Sequence, residues 1–163
     1  MIQNKSLKYI AICSKDTSPG IYKKVIGFVN GAKKNKLNAV AGIIEPDGIA
    51  GYFKYLKSIV TSNTTYTVIR YIPKLGIFIF LLGIILKANN RKLIIDVPTP
   101  MTNHINEILN NNNGIINRFF NIMIIGIQGF IPFVSAYKII QYANESEWFS
   151  LFVKYKTVLI GNG

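Results

Sequence analysis

At 163 residues the chain has the size of one domain, and its 50% apolar content can build a core without metals or cross-links. Cys13 is its one cysteine, which excludes an internal disulfide framework and a zinc cluster and suits a reducing, cytoplasmic setting. A net charge of +12, from 19 basic against 7 acidic residues, steers the surface toward polyanions. The lysines are dispersed as singles and pairs rather than gathered in a tail, which argues for phosphate ligands or anionic lipid over nucleic acid.

In chain order, the polar opening Met1-Ile2-Gln3-Asn4-Lys5 is no secretory leader and runs straight into a predicted strand at 7–13. The turn cluster Asp16-Thr17-Ser18-Pro19-Gly20 follows, then a helix over 21–34. Ile21, Val25, Phe28, Val29 and Ala32 share one face of that helix. Gly27 and Gly31 lie four apart on it, a spacing that permits close backbone packing. A second strand covers 37–44 and closes on Glu45-Pro46-Asp47-Gly48. A helix over 52–60 is broken by Ser62-Asn63-Thr64, and 66–71 is a third strand.

Pro73 opens the next helix, because a missing amide hydrogen costs nothing in a first turn. That helix, 74–88, is apolar nearly all round and is expected to be buried. A fourth strand at 92–97 stops at Pro98-Thr99-Pro100. A polar helix at 101–109, an asparagine-rich loop and an apolar helix at 115–129 come next, with Pro132 expected to end the last. Strands at 136–142 and 156–160 flank a helix start at Asn144-Glu145-Ser146-Glu147.

The apolar runs at 75–86 and 119–136 fall short as membrane spans: the first is only about a dozen residues against the ~20 a span needs. The second is interrupted by Asn121, Gln128 and Pro132. Apolar helices beside lysines suit peripheral attachment to an anionic membrane surface. Alternating strands and helices, with strands that are continuous apolar runs, predict an α/β fold. The expected architecture is a Rossmann-like doubly wound parallel sheet with helices on both faces, one domain over 1–163.

Ligands of such sheets gather beyond the carboxyl ends of the strands, which nominates the loops at 14–20, 45–48, 70–73, 96–104 and 141–147. Gly20 lets backbone approach a phosphate at a helix N-terminus, and Lys23 and Lys24 oppose the helix dipole unless an anion compensates. The alternative is an ordinary turn with solvated lysines. No nicotinamide-dinucleotide or ATP fingerprint is present. His104, the one histidine, is either a base toward an acceptor hydroxyl or a surface residue of a helix. Asp96 either orients such a base or caps backbone donors. Arg70 offers a forked guanidinium to phosphate or carboxylate, or makes a surface ion pair, while Glu145 and Glu147 either touch a sugar or complement a helix start.

Four segments together resemble the amino-terminal domain of retaining glycosyltransferases of family 4, which have the GT-B fold. They are Ser18-Pro19-Gly20-Ile21-Tyr22-Lys23-Lys24-Val25, Tyr66-Thr67-Val68-Ile69-Arg70-Tyr71, Lys92-Leu93-Ile94-Ile95-Asp96-Val97-Pro98-Thr99 and Lys156-Thr157-Val158-Leu159-Ile160-Gly161-Asn162-Gly163. The resemblance implies transfer of a sugar from a nucleotide sugar to a hydroxyl of a glycan or lipid-linked acceptor, in polysaccharide biosynthesis at the inner face of the cell membrane. It implies donor-phosphate contact at Gly20 and Lys24 and acceptor contact at Arg70, Tyr71, Pro98 and Thr99. His104 and Asp96 are its candidate catalytic residues. No cofactor and no metal are expected, the nucleotide sugar being a substrate. The donor-binding second domain is expected on a missing C-terminal segment or a separate subunit, which would leave this part inactive alone. The alternatives are a non-catalytic membrane-anchoring or acceptor-binding subunit and a flavodoxin-like nucleotide-binding module.

Overall fold

The computed structural model describes residues 5–97, 110, 114–141 and 154–159. Pro98, Thr99, the helix expected at 101–109 with His104, Glu145, Glu147 and the terminal Asn162-Gly163 lie outside the described residues. The elements are β1 (Ser6–Ile12), α1 (Pro19–Lys34), β2 (Asn38–Ile44), α2 (Gly48–Val60) and β3 (Tyr66–Arg70). After a 3-10 turn at Pro73–Leu75 come α3 (Gly76–Ala88), β4 (Lys92–Val97), α4 (Ile115–Ser135) and β5 (Lys138–Gln141). A second 3-10 turn, Lys154–Lys156, precedes β6 (Thr157–Leu159).

The fold is α/β. All neighbouring strands pair in parallel, in the order β2-β1-β3-β4-β5-β6. A parallel neighbour needs a crossover, and crossovers are right-handed, so the direction of travel chooses the face. The step from β1 to β2 runs one way across the sheet and puts α1 on one side. The later steps run the other way and put α2, α3 and α4 on the opposite side. The two cores follow from this. Val25 and Val29 of α1 pack on Tyr9, Ala11, Cys13 and Val68. On the other face Tyr55, Ile59, Ile79, Leu86 and Phe133 cover Ile10, Ile69 and Ile95. The Rossmann-like arrangement expected from the sequence is present.

Four local expectations change. Helix α1 begins at Pro19 and α2 at Gly48, each earlier than periodicity predicts, because the turn residues themselves form the first helical turn. Pro132 lies inside α4 rather than ending it: the missing amide forfeits one helical bond, and the helix continues to Ser135, whose Oγ donates to the Pro132 carbonyl at 3.1 Å. Gly27 and Gly31 meet no close neighbour; the close approach is at Gly83, where an added Cβ would collide with Ser135 of α4. Finally, α3 is not buried all round. Gly76, Ile79, Gly83 and Leu86 face inward, while Ile77, Phe78, Leu81, Ile84 and Ile85 are exposed.

Candidate functional site

β1 has β2 on one side and β3 on the other, so the loops leaving β1 and β3 diverge to opposite faces at their carboxyl ends, the switch point where open parallel sheets take ligands. The loop after β1 is held by its own hydroxyls. Ser14 is buried, its Oγ lies 2.7 Å from Thr17 Oγ1 and accepts from the Thr17 amide at 2.9 Å, and the Ser18 amide donates to the Ser14 carbonyl at 3.1 Å. This delivers the chain to the N-terminus of α1, where no side chain caps the first amides and no acidic residue sits in the first turn. The free N–H groups and the helix dipole give that end a positive character. Because α1 starts at Pro19, Lys23 and Lys24 fall beyond its first turn, and their conflict with the dipole is smaller than the sequence suggests. Gly20 is exposed, and a Cβ there would meet open space. Packing therefore leaves residue 20 free, which is consistent with a ligand passing close to it.

Arg70 and Asp96 stand opposite each other at the ends of β3 and β4, on the face that α1 covers. They form no ion pair with one another. Asp96 is fully buried, and Tyr9 donates its phenolic hydrogen to Asp96 Oδ2. Burial pushes the Asp96 carboxyl above its usual 3.8, while the Tyr9 hydrogen bond and then the charges of Lys24 and Arg70 pull it back. Lys24 is half-buried; desolvation lowers its ammonium, Asp96 raises it, and Arg70 lowers it further. Asp96 Oδ1 and Arg70 Nη1 are both buried without a hydrogen-bond partner among the described residues. Unsatisfied buried ionic atoms are costly, and two stand on neighbouring strands here.

Of the residues singled out from sequence, Gly20, Lys24, Arg70 and Asp96 are thus gathered at the ends of β1, β3 and β4. Tyr71 is not among them. One step along the strand from Arg70, it points to the opposite face, where its ring meets Phe133 with centroids 5.2 Å apart and burial raises its phenol. Its amide donates to the Asp96 carbonyl at 2.8 Å.

Two residues that hold this site escaped the sequence reading. Tyr9 anchors Asp96, and the signal was a tyrosine inside an apolar strand, whose hydroxyl needs a buried partner. Tyr55 of α2 donates to the Arg70 carbonyl at 2.6 Å, fixing the end of β3. Gln141, the first residue of the nominated 141–147 loop, is buried at the end of β5 beside Val97, on the face opposite Asp96, and has both amide atoms unpartnered among the described residues. Cys13 lies in the same region, but its thiol is buried and raised by desolvation, which opposes thiolate chemistry. Among the described residues no group of three or more His, Cys, Asp or Glu could hold a metal ion.

A polar hollow of about 550 Å³, lined by Ser6, Asn63, Thr64, Thr65, Asn89 and Arg91, lies at the amino ends of the strands. Arg91 Nη1 there donates to the Ser62 and Val60 carbonyls and so satisfies the end of α2 rather than facing a ligand. No protein family, no curated protein and no solved structure matches this chain.

Proposed function

We propose that this chain is the acceptor-side domain of a GT-B glycosyltransferase that moves a sugar from a nucleotide sugar to a hydroxyl of a lipid-linked glycan, peripherally at the inner face of the cell membrane. The observation that carries this reading is the convergence of the uncapped α1 N-terminus, Gly20, Lys24, Arg70 and Asp96 at the carboxyl ends of β1, β3 and β4. Each is supplied by a segment that resembles the family. In this reading the α1 amides and Lys24 approach the donor diphosphate. Arg70 presents its unpaired Nη1 to a phosphate or hydroxyl oxygen of donor or acceptor. Asp96, held by Tyr9, favours the charged form of Lys24 rather than reacting itself. The base toward the acceptor hydroxyl is assigned to His104, as the resemblance implies. Turnover requires a donor-binding domain, in a longer chain or a partner.

The test is label transfer from a panel of nucleotide sugars to polyprenyl-diphosphate-linked acceptors, in membranes containing the whole natural protein. Transfer that falls at least about a hundredfold with Arg70→Gln supports the reading, as expected when a charged hydrogen-bonding partner is removed from a buried site. Transfer that Arg70→Gln leaves intact assigns the chemistry elsewhere. The strand order favours one competing reading: β2-β1-β3-β4-β5 is also the order of flavodoxin-like sheets, which bind ligands at the same switch point. Flavin absorbance in the purified chain, with no transferase activity in those membranes, would select it.

A further inference from the structure

We infer that the amino-end edge of the sheet is a binding groove for single-stranded nucleic acid. Three hollows adjoin there, in the order of the strands. The first is the polar hollow of about 550 Å³, where Ser6, Asn63, Thr65 and Asn89 gather at the approaches to β1, β3 and β4. The second, of about 260 Å³, shares Arg91 with the first and is lined by Lys87, Lys92, Ser135 and Tyr137. The third, of about 390 Å³, shares Lys87, Ser135 and Tyr137 with the second and adds Lys138, Tyr155 and Lys156. From β1 to β6 the row follows the sheet order across β3, β4 and β5, a length of about 19 Å at ~4.8 Å per strand.

Charge is segregated along the strand axis. Asp16, Glu45, Asp47 and Asp96, the carboxylates of the described residues, all stand at the carboxyl ends of the strands. The groove has Lys87, Arg91, Lys92, Lys138 and Lys156 and no carboxylate, and beyond it Lys5, Lys33, Lys34 and Lys36 are exposed on the approaches to β1 and β2. Scattered along the sequence, these cations are collected by the parallel sheet, because every segment entering a strand does so at this end. Helix dipoles explain only part of the excess: α2, α3 and α4 end here, and about half a negative charge at each offsets fewer than two of the five cations in the groove. Lys92 lies over the Tyr66 and Tyr137 rings, 5.4 and 4.5 Å from their centres, and Lys156 donates to the Val134 carbonyl at 2.7 Å. These partners are neutral and leave both charges in place.

The lining selects the occupant. A polyanion gains at such an edge by releasing its counterions, and the hydroxyls and amides of the first hollow suit phosphate and sugar oxygens. Tyr155 and Tyr137, 75% and 44% exposed, offer rings on which bases stack. A duplex keeps its bases stacked on one another, so open rings beside lysines favour a single strand. Among the described residues no helix is long and apolar enough to cross a membrane, and a bilayer surface is too flat to enter a recessed groove. This activity is independent of the transferase reading, whose ligand lies at the opposite ends of the strands.

Fluorescence anisotropy of the full chain with a labelled single strand of about 12 nucleotides, and with the corresponding duplex, tests the groove. The single strand should bind at low salt and weaken with a log–log salt slope of about −2, as roughly three phosphate contacts give. Lys87→Gln/Lys138→Gln should weaken it about tenfold and flatten the slope by about one. Tyr155→Ala should weaken it about fivefold or more and leave the slope unchanged. Lys15→Gln/Lys74→Gln, which removes the same charge at the carboxyl ends, should change it less than about twofold. Far-ultraviolet dichroism should be the same for every variant. No binding at low salt overturns the proposal, and so does equal weakening by the two lysine pairs, which is the behaviour of net charge alone. Affinity that the duplex or an acidic polysaccharide matches, and that Tyr155→Ala leaves intact, assigns the edge to a different polyanion and overturns it too.

Discussion

Asp96 is a charged side chain placed where the fold gains little from it. Its carboxyl is raised by burial, so the unfolded chain releases this proton more readily than the folded one. The stability it gives in neutral form is complete below the ordinary carboxylate value of 3.8 and is lost as pH rises through the raised folded value. Asp96→Asn, which keeps an acceptor for Tyr9, should therefore be more stable than the parent at pH 7, by on the order of 1 kcal/mol. The gain should shrink on acidification, and urea unfolding between pH 4 and 7 measures it; a gain that grows toward low pH would contradict the assignment. Gly20 makes the complementary prediction. With open space around it, Gly20→Ala should leave the melting temperature nearly unchanged and weaken binding of a nucleoside diphosphate about tenfold, as read by calorimetry. Gly20, Lys24, Arg70 and Asp96 were legible in the sequence because strand ends and a glycine-led helix start can be found by pattern. Tyr9 was not. Its role depends on which strand lies two places along the sheet, and no local pattern carries that information.

At the scale of elements, the helix periodicities were legible and the role of each face was only half so. A helix apolar all round reads as buried, but periodicity measures apolarity, not what covers it; α3 turns one face to the core and leaves the other open. The two faces should answer differently to substitution. Ile79→Ala, in the core, should cost ~2–5 kcal/mol, whereas Phe78→Ser, exposed one position earlier, should cost well under ~1 kcal/mol. Equal losses in denaturant titrations would mean that the exposed stripe is packed in solution. Gly83→Ala should also destabilise, by ~1–3 kcal/mol, since a methyl group there drives α3 away from Ser135 of α4. The boundary at Pro132 was misread for a related reason: proline disfavours a helix interior locally, but α4 is held against α3 by packing on either side of it.

At the scale of the whole molecule, the alternation of elements announced a parallel α/β sheet, and the structure has one. The order of its strands was not legible, because it depends on the direction of each crossover rather than on any residue pattern. That order makes the switch point between β1 and β3 and sets Arg70 beside Asp96 on the face that α1 covers. In the proposed function the carboxyl-end site, not the polar hollow at the amino ends of the strands, receives a phosphorylated ligand. Amide and side-chain chemical-shift mapping of the chain titrated with a nucleotide sugar tests it most directly. Shifts concentrated on residues 14–24, Arg70 and Asp96, and abolished by Arg70→Gln, are the expected result. Shifts centred on Ser6, Asn63, Thr65 and Arg91 instead, or none at saturating ligand, would contradict it.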